Sequence, residues 1–124
     1  MLALWETSRS AASVTPDTAE AVEALIASSG SVLLLALEAD ELVGTLVVGW
    51  DGWRGNMYRL AVRSDLRRRG IALALVEEGH RHLRSLGARR VTALVGVEES
   101  EAAALWCAAG YEHDLRINRF VLDL

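Results

Sequence analysis

Residues Met57 to Ala72 read MYRLAVRSDLRRRGIA. An apolar run, Met57 to Val62, passes through a short polar turn into three arginines, Arg67, Arg68 and Arg69, and then into Gly70-Ile71-Ala72 at the head of a helical pattern. A strand that feeds a helix N-terminus through a glycine builds an anion site from backbone N–H groups, because the first turn of a helix has donors without partners inside it. Gly70 allows a phosphate to approach the backbone closely, and Ala72 keeps its position small. The arginines add guanidinium donors that pair with phosphate oxygens.

The chain on either side of this stretch reads as alternating strands and helices. Downstream, Gly70 to Leu86 carries an apolar stripe at Ala72, Leu75, Val76, Gly79, Leu83 and Leu86, with Gly87 as its stop. A strand follows over Arg90 to Val97, then a helix over Ser100 to Ala109 stopped by Gly110. Tyr111 to Leu124 is expected to hold one or two strands, the clearest at Ile117 to Leu122. Upstream, Val32 to Glu38 and Leu42 to Trp50 are strands joined by the turn Ala39-Asp40-Glu41, and Asp51-Gly52 signals a hairpin into a third strand, Asn56 to Val62. Thr15-Pro16-Asp17 reads as a helix start with apolar residues at Ala19, Val22, Leu25 and Ile26, and Met1 to Glu6 as part of a helix. Hairpins followed by strand–helix–strand imply an α/β fold: a mixed, mostly antiparallel sheet with helices on its faces, in a single domain over residues 1–124.

Bulk properties narrow the function classes. The 124 residues are 52% hydrophobic, enough for one core, and the net charge of −4 argues against a general nucleic-acid coat. One cysteine, Cys107, rules out an internal disulfide and makes a reducing, cytoplasmic setting the expectation. No apolar run reaches the ~18 residues of a membrane helix. His80 and His82, two apart on a helix, face different sides, and His113 stands alone, so no metal is assigned.

The segment Leu60-Ala61-Val62 to Ala72 resembles motif A of the GNAT (Gcn5-related N-acetyltransferase) family, whose Gln/Arg-x-x-Gly-x-Gly/Ala pattern appears here as Arg67-x-x-Gly70-x-Ala72. Two further segments support the resemblance. Ala102-x-x-Leu105-Trp106-x-x-x-Gly110-Tyr111 is similar to the family's later Ala-x-x-Leu-Tyr-x-x-x-Gly-Phe. Gly49 to Gly55 looks like a hairpin of one bacterial subgroup of small members. The resemblance covers about residues 15 to 124. It implies acetyl-CoA as cosubstrate, with the pyrophosphate on the backbone of Arg67, Arg68, Arg69, Gly70, Ile71, Ala72 and Leu73. The pantetheine arm would pair with Leu60, Ala61 and Val62 as a short extra strand. A primary amine, on a small molecule or a peptide, would then attack the thioester directly in a ternary complex, with N–H groups near Ala61 and Val62 polarising the carbonyl.

The acid/base set departs from the family pattern. Trp106 stands where the family commonly places a tyrosine that protonates the leaving thiolate, and an indole N–H does not serve as an acid. Glu99 replaces a frequent asparagine, and Leu94 a glutamate base found in some relatives. Tyr58 is the remaining catalytic candidate; Glu98, Glu99 and Asp51 are weaker ones. These departures keep a second reading open, a degenerate acyl-CoA-binding module acting as sensor or partner subunit. Core packing is the default for Trp106 and Cys107, and cross-strand packing for Trp50 and Trp53. Family members usually begin with a strand before the first helix. A fold without that edge strand leaves a sheet edge exposed, which favours a homodimer.

Overall fold

The computed structural model describes residues 18–67, 69–95 and 100–124. The expected helix over Met1 to Glu6, the start at Thr15-Pro16-Asp17, Arg68, Glu98 and Glu99 lie outside the described residues. The elements run α1 (Ala19–Ala27), β1 (Val32–Glu38), β2 (Glu41–Trp50), β3 (Gly55–Val62), a 3₁₀ turn (Ser64–Leu66), α2 (Ile71–Ser85), β4 (Val91–Ala93) and α3 (Ser100–Ala108). The sheet order is β1-β2-β3-β4. The first three strands are antiparallel, and β4 joins β3 in parallel through the α2 crossover. This is the mixed, mostly antiparallel sheet that the sequence pattern implies.

Local chemistry explains the boundaries. Helix α1 is capped by Thr18, whose hydroxyl accepts a hydrogen bond from the Ala21 N–H at 3.1 Å. Ala39 and Asp40, at φ 50° and 67°, close the β1–β2 hairpin as a two-residue turn of the primed type. The β2–β3 loop is four residues long, Asp51 to Arg54, because Trp50 pairs with Gly55. The Asp51 carboxylate accepts from the backbone N–H groups of Trp53 (2.8 Å) and Arg54 (2.6 Å), which hold its pKa below the ordinary carboxylate value. Helix α2 ends with Ala88 N–H on the Leu83 carbonyl and Gly87 N–H on that of Arg84, the Schellman arrangement. Helix α3 closes in the same way at Gly110 and Tyr111.

Strand β2 is the spine of the fold, buried continuously from Val43 to Gly49. On one face of the sheet, Leu46, Val48 and Met57 pack against Leu75, Val76 and Leu83 of α2 and Trp106 of α3. On the other face Val22 of α1 covers Val47 and Ala61. Gly79 lets α2 settle onto the sheet: a Cβ there would stand 2.5 Å from Met57 Cε and 3.1 Å from Val48 Cγ2. Tyr111, just after α3, meets the Trp106 ring edge-on, and its hydroxyl lies 2.7 Å from His80 Nε2, tying α3 to α2.

Several sequence expectations need correction. The strand expected over Arg90 to Val97 is only Val91–Ala93 among the described residues. Tyr111 to Leu124 forms no strand: the apolar residues that suggested one, Ile117, Phe120 and Leu122, find no neighbour to bury them and stay exposed. Cys107 is exposed, since α3 turns Trp106 inward and the adjacent position outward. Trp53 is also exposed and carries the Arg54 guanidinium over its ring at 4.3 Å, in place of a cross-strand partner. Leu86, the helix cap, and Ile26 lie off the apolar stripes of their helices.

Candidate active site

The site is a fork in the sheet. Pairing between β3 and β4 ends at Met57 and Ala93, yet β3 runs on for five more residues, Tyr58 to Val62. Leu94 and Val95 leave the sheet at that point. A strand whose neighbour departs leaves one edge able to hydrogen-bond an added strand-like ligand.

The fork coincides with a bulge. The register between β2 and β3 passes from Val47↔Tyr58 to Thr45↔Ala61, so two β3 residues, Arg59 and Leu60, stand against Leu46 alone. Arg59 takes φ 54°, a left-handed conformation uncommon for a non-glycine residue. Thr45, fully buried, donates its hydroxyl to the Arg59 carbonyl at 3.2 Å and so fastens the bulge from the neighbouring strand. The bulge changes which side chains face each layer: Met57 and Leu60 both pack toward α2, and Ala61 packs toward α1. Tyr58, the last residue before the bulge, is 39% exposed, with its ring alongside Gly49.

Beyond Val62 the chain turns into the head of α2. Leu66 is buried with Val43 and Val62, which seats the 3₁₀ turn on the sheet. Arg63 braces that turn, donating from Nε and Nη2 to Asp65 (2.7 and 3.2 Å) and from Nη1 to Glu41 (3.1 Å). This pairing holds the Asp65 carboxyl below its ordinary pKa. Arg67 reaches back to the Val62 carbonyl through Nε at 3.4 Å, and Arg69 stands 3.7 Å from Glu38 with both side chains largely in solvent. Gly70 sits at φ 81°, and the first helical hydrogen bond runs from Ala74 N–H to its carbonyl at 3.0 Å. The N–H groups of Ile71, Ala72 and Leu73 therefore lie ahead of the first intrahelical bond.

Of the candidate binding residues, Leu60, Ala61, Val62, Arg67, Arg69, Gly70, Ile71, Ala72 and Leu73 fall on one continuous path from fork to helix end. Trp106 does not join them; it is a core residue on the α2 side, 6% exposed. Asp51, committed to its own loop, is no candidate base. Thr45 and the Arg59 bulge carry no local sequence signal. The one trace is a break in period two, where the inward residues are Met57, Leu60 and Val62. The described residues hold no group of three His, Cys, Asp or Glu side chains placed for a metal.

Known proteins share this architecture. The Acetyltransferase (GNAT) family profile matches residues 2–111. Among solved structures, an aminoglycoside acetyltransferase from an uncultured soil metagenomic sample, in complex with trehalose, superposes with TM-score 0.79 at 18% identity, covering 99% of this chain and 85% of that one. The aminoglycoside acetyltransferase AAC(6')-Iy, bound to a bisubstrate analogue of CoA and acetylneamine, gives 0.78 at 16%, covering 98% and 88%. A second soil metagenomic aminoglycoside acetyltransferase gives 0.70 at 26%, covering 89% and 76%. With the family matched over nearly the whole chain, this chain belongs to the GNAT family and is an acetyl-CoA-dependent N-acetyltransferase.

Proposed function

We propose that the chain transfers acetyl from acetyl-CoA to a primary amine of a small cationic molecule, by direct attack in a ternary complex. The observation that carries this reading is the fork: an open half-strand, bulged at Arg59, leading into a helix N-terminus headed by Gly70. In this reading the pantetheine amides pair with β3 from Leu60 to Val62. The pyrophosphate lies on the N–H groups of Ile71, Ala72 and Leu73, with Arg67, Arg68 and Arg69 supplying countercharge. The amine nitrogen attacks the thioester carbon, and N–H groups beside the bulge stabilise the developing oxyanion. The C–S bond then breaks and the departing CoA thiolate takes the Tyr58 hydroxyl proton, while the surplus ammonium proton passes through water and restores the phenol.

The acid/base inventory and the names of the structural neighbours support this acceptor class. A lysine-type amine, pKa ~10.4, costs about 4–5 kcal/mol to deprotonate at pH 7, whereas an amine near 7.8 costs only about 1 kcal/mol. A site with no evident strong base suits the latter. Three neighbours carry the name of enzymes acting on aminoglycosides, which are polyamines. The test is CoA thiol release against a panel of aminoglycosides, polyamines, lysine peptides and peptide N-termini. The reading expects turnover with small polyamines. Arg69→Glu should raise KM for acetyl-CoA about tenfold, and Tyr58→Phe should lower kcat about tenfold or more. Turnover confined to lysine peptides would overturn the acceptor assignment, and full kcat in Tyr58→Phe across pH would remove Tyr58 from it.

A further inference from the structure

Thr45 is the one polar side chain buried among the described residues, 0% exposed in the middle of the apolar strand β2. It pairs with Ala61, just past the break in register, and its hydroxyl donates to the Arg59 carbonyl. The bulge it touches reverses the backbone as well as the side chains. Before the bulge, the Gly55 N–H points to β4 and donates to the Arg90 carbonyl at 3.4 Å. Beyond it, the Arg63 N–H points to β2 and donates to the Val43 carbonyl at 2.8 Å. Gly55 and Arg63 lie an even number of residues apart, so a regular strand, with its period of two, would point both the same way. The extra residue shifts the phase. Past the bulge, Ala61 therefore turns its N–H toward β2, as Arg63 does, while Leu60 and Val62 turn theirs to the edge that β4 has left.

The reversal takes place at Arg59, with its left-handed φ of 54°, and Thr45 grips the peptide that carries it. That peptide is trans, and in a trans peptide the carbonyl of one residue and the N–H of the next point in opposite directions. A hydroxyl that holds the Arg59 carbonyl on the β2 side thus holds the Leu60 N–H on the open side. There a thioester carbonyl lying along β3 meets it, and the charge that develops on that oxygen during attack is what an aimed N–H stabilises. Fully buried, Thr45 acts through this peptide and not on the substrate.

We propose that Thr45 is a positioning residue for acetyl transfer: its hydroxyl fixes the Arg59–Leu60 peptide so that the Leu60 N–H, and not that of Ala61, polarises the thioester carbonyl. The inference rests on the donor-site reading above and adds to it the side chain that aims the donor. Infrared difference spectra of acetyl-CoA, isotope-labelled at the thioester carbonyl, test it with no acceptor present. Bound to the wild-type protein, the carbonyl stretch should fall below that of free acetyl-CoA. Thr45→Val should return the band to the free value and, with the best amine of the panel, lower kcat about tenfold or more. Its Kd and KM for acetyl-CoA should stay within about twofold, because the pantetheine and pyrophosphate contacts are untouched. Thr45→Ser keeps the hydroxyl and should keep the lowered band, with kcat within about threefold of wild type. Where the valine variant does not fold, Thr45→Cys, a weaker donor, should give a band between the two. Wild-type protein that binds no acetyl-CoA would overturn the donor-site reading and the role of Thr45 with it. A wild-type band at the free value, or a lowered band and kcat that survive in Thr45→Val, would overturn the role of Thr45 alone.

Discussion

Gly70 and Arg59 bracket the proposed donor site with left-handed backbone, and the two positions are built differently. At Gly70 nothing lies within 4 Å of where a Cβ would stand, so Gly70→Ala meets only the conformational cost of an L-residue at φ 81°. That cost is about 1–2 kcal/mol. Calorimetry should record a lowered melting temperature, and saturation kinetics a raised KM for acetyl-CoA with kcat nearly kept. Tyr111 carries the pH signature of the fold. Burial first, and the Glu77 charge second, push its hydroxyl up to about 12 from the ordinary 10. A phenol whose folded-state pKa is raised stabilises fully below pH 10 and loses that contribution as pH climbs from 10 through 12. Tyr111→Phe should therefore flatten the alkaline limb of the stability curve between those values, as read by urea unfolding.

At the scale of elements, the β3 bulge links stability to catalysis. Thr45→Val keeps the volume but removes the hydroxyl that meets the Arg59 carbonyl, at a cost of about 0.5–1.5 kcal/mol for the lost hydrogen bond. If the bulge aims the oxyanion donors, kcat should fall along with stability, whereas a purely structural Thr45 would leave kcat unchanged in the folded fraction. Strand–loop–helix segments are readable from the sequence because their signals are local. Gly87 and Gly110 stop their helices where expected, and the run from Val43 to Val48 is mostly apolar because β2 is buried on both faces. The bulge is not readable, since it depends on how Thr45 of one strand meets Arg59 of another. The end of β4 at Ala93 is hidden for the same reason: β-branched residues on either side of it favour a strand, and only the position of β3 decides where pairing stops.

For the whole molecule, the mixed sheet follows from the sequence, and so does the proposed donor path from Leu60 to Leu73, while the acceptor side does not. Local residue types encode a backbone anion site, but an acceptor site depends on which loops happen to converge on the fork. The apolar tail shows the opposite failure. Its strand pattern is legible, yet Tyr111 to Leu124 forms no strand and its apolar residues stay exposed. The central claim is that the open half of β3 and the head of α2 hold acetyl-CoA. Amide hydrogen exchange with and without CoA tests it most directly. The account predicts slowed exchange at residues 60–62 and 71–73, with α1 and the Asp51–Arg54 loop unaffected; CoA that binds without protecting either segment, or that protects the α1 face instead, would contradict it.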